Sequence, residues 1–140
     1  MTTRQLARFG VSIDADLIRK FDRHILHAGY GTRSEAIRDL IRARLVDEKI
    51  HDPDAQATGV LSLVYDHHKR ELEDHLTGLQ HDHHEMIIAT THVHLDHHNC
   101  LEVILLRGTV GKIRDIGDAL ASFKGVKHSS LSLTATEDLR

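Results

Sequence analysis

Arg8-Phe9-Gly10-Val11-Ser12-Ile13 alternates strictly between apolar and polar or small side chains. Phe9, Val11 and Ile13 fall on one face of an extended chain, and Arg8, Gly10 and Ser12 on the other. The run therefore predicts a short strand with one face to bury. The next residues change period. Leu17, Ile18, Phe21 and Ile25 recur at helical spacing over about Ala15–Ala28, and Gly29 follows as a C-terminal stop. Thr32-Arg33-Ser34-Glu35 has the form of a capping box, with Thr32 capping and Glu35 reaching back. The helix it opens carries Ala36, Ile37, Leu40, Ile41 and Leu45 on one side and ends near Lys49.

One strand and two helices cannot enclose a core, and the strand has no partner within the segment. A two-fold dimer is the natural solution, with the two strands paired antiparallel into a ribbon backed by four helices. Such a ribbon fits the DNA major groove. Its outward positions are Arg8, able to bond guanine twice, Ser12, and Gly10, which permits close approach. Arg33 and the free N–H groups of the second helix suit a backbone phosphate.

Charge divides the chain in the same place. Residues 1–50 hold ten Lys/Arg against seven Asp/Glu, whereas residues 51–140 hold eight against fourteen. Twelve of the fourteen histidines lie after residue 50. Two jobs are implied, with a DNA-binding segment 1–50, a linker 51–58 around Asp52-Pro53-Asp54, and a metal-binding segment 59–140. The only cysteine is Cys100, and no apolar run approaches the ~18 residues of a membrane span. Together with an N-terminus lacking a signal-type stretch, this predicts a cytoplasmic protein.

The later segment predicts a strand over Val60–Tyr65, a helix from Asp66 to about Gln80, and strands over Met86–Leu95 and Leu101–Leu106. A helix marked by Ile113, Ile116, Leu120 and Phe123, ended by Gly125, and a last strand over Val126–Leu133 complete it. The fold class is α+β, and the order β-α-β-β-α-β is the split βαβ arrangement of ferredoxin-like (ACT-like) domains. Within it, His92-Val93-His94 puts two imidazoles on one strand face, and a hairpin returns Cys100 beside them. A fourth ligand comes from among His81, His83, His84, His97 and His98. Imidazoles plus a thiolate exclude Mg²⁺ and Ca²⁺ and leave Zn, Ni, Co and Cu open. With no Ser-His-Asp, Walker or Rossmann pattern in the chain, an enzyme is not expected.

The chain resembles the nickel-responsive regulators, a family of ribbon-helix-helix repressors. The resemblance runs from Arg8 to about Leu133 and is carried by Arg8–Ile13, Arg33–Asp39, Val64-Tyr65-Asp66-His67, Lys69-Arg70, Gln80-His81, Ala89-Thr90, His92-Val93-His94, Cys100-Leu101-Glu102 and Arg107-Gly108. It implies one square-planar Ni²⁺ per subunit held by His92, His94, Cys100 and the partner subunit's His81. It further implies a homotetramer, a dimer of dimers built on the metal domains, and a double-stranded operator controlling nickel-uptake genes. Gln80 and Glu102 resemble groups that hold the ligands by hydrogen bonds. Lys69 and Arg70 resemble phosphate contacts, and Glu35 and Asp39 resemble carboxylates that take a cation between the domains. Met1–Ala7 and Gly10 depart from the family pattern and leave the operator sequence open. The competing readings are a repressor of the same build that senses Co or Cu, and a metal storage or chaperone protein that binds no DNA.

Overall fold

The computed structural model describes residues 5–135, with the side chain of Arg70 outside that set. Two compact units divide between Ile41 and Arg42.

In the first unit, α1 (Ala15–His27) starts where the Asp14 carboxylate accepts from the N–H groups of Asp16 and Leu17, at 2.8 and 3.2 Å. It ends at Gly29, whose φ of +83° is the left-handed conformation that glycine adopts without strain. The helix α2 (Arg33–Ile50), whose residues up to Ile41 belong to this unit, opens with Glu35 N–H donating to Thr32 Oγ1 at 3.2 Å. The reciprocal arm of the capping box differs from expectation: Glu35 Oε2 accepts from Gly31 N–H, one residue beyond Thr32, at 3.1 Å. Among the described residues of these two helices, only Ile25 and Ala36 are buried, while Leu17, Leu26, Leu40, Ile41 and Leu45 stay open. Residues 5–14 make no strand ladder within the single chain, because a ladder needs a second strand. Phe9 is 73% exposed and Val11 63%, so the alternation that predicts a buried face finds nothing in this copy to bury it.

The second unit is a four-stranded antiparallel sheet in the order β2-β3-β1-β4, with the ferredoxin-like sequence of elements. These are β1 (Gln56–Asp66), α3 (Arg70–Asp82), β2 (Ile87–His94), β3 (Asn99–Thr109), α4 (Val110–Ala121) and β4 (Val126–Thr134). Leu61, Leu63 and Tyr65 of β1 alternate inward against Ile104 and Leu106 of β3, under Leu72 and Leu76 of α3 and Ile113, Ile116 and Leu120 of α4. Gly59 allows the closest approach: a Cβ there would stand 2.9 Å from Ile113 Cγ2.

Three boundaries differ from the sequence reading. The helix α3 begins four residues later than Asp66, because Asp66 forms a turn of its own, accepting from His68 N–H and from Lys69 N–H. The helix α4 ends before Phe123 and Gly125, where Ser122 N–H caps Asp118 O and Ser122 Oγ donates to Ala119 O. The strand β1 starts at Gln56, since Gln56 to Gly59 already pair with Thr109 to Leu106.

Candidate metal centre

Register builds the site. On β2, His92 stands opposite Glu102 of β3, and His94 opposite Cys100. On β1, Tyr65 stands opposite Cys100. Because paired residues share a face and the side-chain period is two, His92, His94, Cys100, Glu102 and Tyr65 all lie on the helix-bearing face. A one-residue slip in the β2–β3 hairpin would dismantle the group. The register is pinned by Asp96, whose carboxylate accepts from His98 N–H (2.8 Å), Asn99 N–H (2.9 Å) and Asn99 Nδ2 (2.8 Å). These bonds, the Asn99 side chain first, pull the Asp96 pKa down to about 2.

His92, His94 and Cys100 bring one donor atom each to within 4.8 Å of one another. Cys100 Sγ lies 3.3 Å from His94 Nδ1. His92 Nδ1 lies 2.9 Å from Glu102 Oε2 and 3.0 Å from the Tyr65 hydroxyl. The arrangement assigns the hydrogen to Nδ1, which donates to the carboxylate and leaves the Nε2 lone pair for a ligand. Gln80 Nε2 donates to the other carboxylate oxygen of Glu102 at 3.4 Å. Burial, and after it the negative charge of Glu102, Cys100 and Glu73, pushes the Tyr65 phenol up, so it keeps its proton. The Cys100 thiol is fully buried and is also pushed up, by burial first and then by Glu73, Glu102, Asp96 and Asp66. Reactive cysteines sit beside cations; this one sits among carboxylates. A thiolate here calls for a positive charge that the side chains do not supply, and a bound divalent cation supplies it. Two ring nitrogens and one sulfur suit a borderline transition metal, so the residues fit the nickel that the sequence resemblance implies.

The remaining predicted residues are distributed as follows. His81 is exposed on the last turn of α3, outside the three-residue cluster. Arg8, Gly10 and Ser12 are exposed on the segment before α1. The Arg33 guanidinium is taken up by a two-bond pair with Asp22, both at 2.7 Å, which holds the Asp22 carboxyl below its ordinary range. Glu35 is engaged by Gly31 N–H, and Asp39 accepts from the Tyr30 hydroxyl at 2.9 Å. Lys69 is exposed at the start of α3, and the Arg70 side chain lies outside the described residues. Tyr65 carries no role in the sequence reading: period-two counting from Leu61 and Leu63 puts a phenol on a buried face, where its hydroxyl needs a partner. His67 and His68, which the sequence offers for no more than weaker accessory metal sites, stand with Asp66 so that the three donor atoms lie within 4.8 Å of one another.

Comparison with known proteins points to the same class of metal. A family profile described as "NikR C terminal nickel binding domain" matches residues 58–134, and the profile "Ribbon-helix-helix protein, copG family" matches residues 7–48. A protein of Nitratidesulfovibrio vulgaris (strain Miyazaki F) is 56% identical over 92% of this chain and 93% of its own length. One from Solibacter usitatus is 53% identical over 94% of each. One from Geobacter sulfurreducens is 54% identical over 92% of this chain and 93% of its own length. All three carry the name "Putative nickel-responsive regulator".

Proposed function

The chain belongs to the nickel-responsive regulator family, a family of transcriptional regulators and not of enzymes, and on that premise we propose that it represses nickel-uptake genes by binding an operator when Ni²⁺ is bound. The observation that carries the reading is the His92–His94–Cys100 cluster, three soft donors on a strand edge with His92 already oriented by Glu102. In this reading Ni²⁺ is held by those three residues and by the partner subunit's His81, one ion per subunit. The bound ion supplies a cross-link between copies of the chain. Glu102 and Tyr65 fix the ring of His92, and Gln80 steadies Glu102 from the helix that bears His81. Loading the site thereby joins the sheet of one copy to the partner subunit's α3.

The DNA-binding segment, residues 1–50, works as a two-fold dimer in this reading, joined through residues 51–58 to the metal and tetramerisation domain, residues 59–140. Support comes from the groove that Phe9, Val11, Ile13, Ile18, Ile37 and Ile41 line in the single copy. A second copy pairing along residues 8–13 covers that apolar surface and sends Arg8, Gly10 and Ser12 outward to the major groove. Lys69 and Arg70 add phosphate contacts that position the protein without reading sequence. Repression responds to metal only if the loaded state binds the operator better than the metal-free state, and linkage then requires the operator to tighten metal binding equally. The site of action is the cytoplasm, where the operator is; no helix among the described residues is long and apolar enough to cross a membrane.

Operator binding measured by gel shift, with and without Ni²⁺, tests the reading. Native protein is expected to shift the operator only with Ni²⁺, and Cys100→Ala to lose both tight nickel binding and the metal-dependent shift. Equal operator affinity with and without Ni²⁺ would overturn it. Competition with Co²⁺ and Cu²⁺, followed by the thiolate-to-metal absorption, ranks the other ions that the donor set admits.

A further inference from the structure

The stretch that follows α2 is polar and aperiodic and holds the only proline, which is the composition of a loose linker. Its backbone is tied down instead. Asp52 N–H donates to Lys49 O at 3.0 Å, Asp54 N–H to Asp52 Oδ1 at 3.0 Å and Ala55 N–H to Asp52 O at 3.1 Å, so the chain leaves α2 in consecutive turns. The carbonyls that these turns present face α4. Val110 N–H donates to Ala55 O and Gly111 N–H to Pro53 O, both at 2.9 Å. From the next turn of α4 the Arg114 guanidinium donates to Ile50 O at 3.0 Å. Two N–H groups that a helix start leaves without partners are thus capped, and so is a carbonyl that the end of α2 leaves open. Gly111 makes room for this: a Cβ there would stand 3.2 Å from Pro53 O. Residues 42–50 of α2 accordingly fall in the same compact unit as α4.

The start of α4 also continues the strand that carries a metal ligand. The strand β3 runs unbroken from Asn99 to Thr109, with Cys100 near its beginning, and pairs with β1 along its whole length. Thr109 then caps α4, its Oγ1 accepting from Lys112 N–H at 3.4 Å.

We propose that residues 50–55 are a rigid strap, held by Arg114 and Gly111, through which the metal domain acts on the second half of α2. Arg114 and Gly111 are positioning residues: they lie outside the three-donor cluster and act through the strap. A free tether of this length samples many conformations and loses a displacement that begins at Cys100. A strap paired to α4 at Ile50, Pro53 and Ala55 passes it on. The inference takes its trigger from the nickel reading above and does not require an operator.

Amide hydrogen exchange of the full chain, metal-free and loaded with Ni²⁺, tests it. Amides of residues 42–52 should exchange more slowly in the loaded protein, by about fivefold or more, the low end of an ordinary coupling between sites. Arg114→Met keeps the aliphatic length and loses the donors; it should bring the ratio between the two states to within about twofold of one. Nickel affinity, followed by the thiolate-to-metal absorption, should not change. Gly111→Val, which pushes Pro53 O away, should act alike, and Arg114→Lys, which keeps a donor, should restore most of the ratio. A strap of structural value alone would speed exchange equally in both states and leave the ratio standing in Arg114→Met, which overturns the inference. Native protein whose residues 42–52 exchange alike with and without Ni²⁺ overturns it as well. Failure of the repressor reading shows separately, as exchange that responds to Ni²⁺ beside an operator affinity that does not.

Discussion

Replacing Glu102 by Gln isolates what the carboxylate does for the metal centre. Glu102 is 7% exposed, accepts from His92 Nδ1 at 2.9 Å, and is bonded by Gln80 from α3. A hydrogen bond to a charged group is worth about 1.5–3 kcal/mol and a neutral one about 0.5–1.5. The amide keeps the shape and an acceptor oxygen but loses the charge, so about 1–1.5 kcal/mol of ring orientation and ligand basicity should go. At about 1.4 kcal/mol per decade that is roughly a 5- to 12-fold weaker nickel affinity. Glu102→Ala removes the acceptor altogether and should fall in the range of about 10- to 100-fold seen when groups behind a metal ligand are lost. Competition against a chelator of known affinity, with the thiolate-to-metal absorption as readout, measures both. The fold is a control with its own sign: Gln at 102 should not weaken the metal-free protein, since a buried carboxylate contributes little to stability. Nickel affinity of Glu102→Gln within twofold of the native value, with an unchanged spectrum, would refute the claim that Glu102 sets the His92 ring.

The pushed-up Cys100 thiol gives two pH effects. Metal binding displaces its proton, so log affinity should rise by about one unit per pH unit from this group alone across neutral pH, as read in the same competition titration. In the metal-free chain the folded thiol titrates above the ordinary 9.0; its contribution to stability is complete below that value and is lost as pH rises through the folded pKa. Denaturation should therefore show a loss at alkaline pH that nickel-loaded protein lacks. The Asp96 carboxyl, followed by NMR, should titrate near 2 in the folded chain, and stability from the hairpin turn should fade as pH drops through that value. Gly59→Val should cost about 1–3 kcal/mol by chemical denaturation, because its Cβ meets Ile113 Cγ2 at 2.9 Å and Leu133 and Leu131 at 3.3 and 3.4 Å. Lys69→Ala should weaken operator binding alike across sequences and lower the salt slope by about 1, whereas Arg8→Ala should cost about 1–3 kcal/mol and relax specificity.

The helices and strands of the metal domain were legible because each carries a clean period bounded by residues with one conformational job. Leu61, Leu63 and Tyr65 alternate, Ile113, Ile116 and Leu120 recur at three and four, and the hairpin between His94 and Cys100 needs no long-range information. The boundaries that moved did so where a side chain captured the backbone: Asp66 held back α3, and Ser122 stopped α4 before its expected glycine. Such captures depend on a rotamer in a packed setting, and periodicity does not record rotamers. Arg33 shows the same limit. A free guanidinium beside a helix N-terminus is the simplest reading of the sequence, yet Asp22, eleven residues away on α1, lies within reach only once the two helices have turned back on each other.

The grouping of His92, His94 and Cys100 was legible for a different reason. His92, His94 and Cys100 are all within nine residues, so local register alone assembles three donors. What sequence could not rank was the surroundings. Tyr65 comes from a strand 35 residues before Cys100 and meets His92 only because β1 lies against β3. Its contribution follows from the order of the sheet, and so does the elevation of the thiol, which burial raises first and Glu73 on α3 and Glu102 on β3 raise further. Burial first, and that surrounding negative charge after it, set the site's chemistry. They make an empty Cys100 a poor nucleophile and a reluctant thiolate, and they make a cation at the three donors the state in which the buried carboxylate, the phenol and the sulfur are satisfied together. A centre of this kind is poorly suited to turning over substrates and well suited to distinguishing the presence of a metal from its absence, which is what a sensor requires.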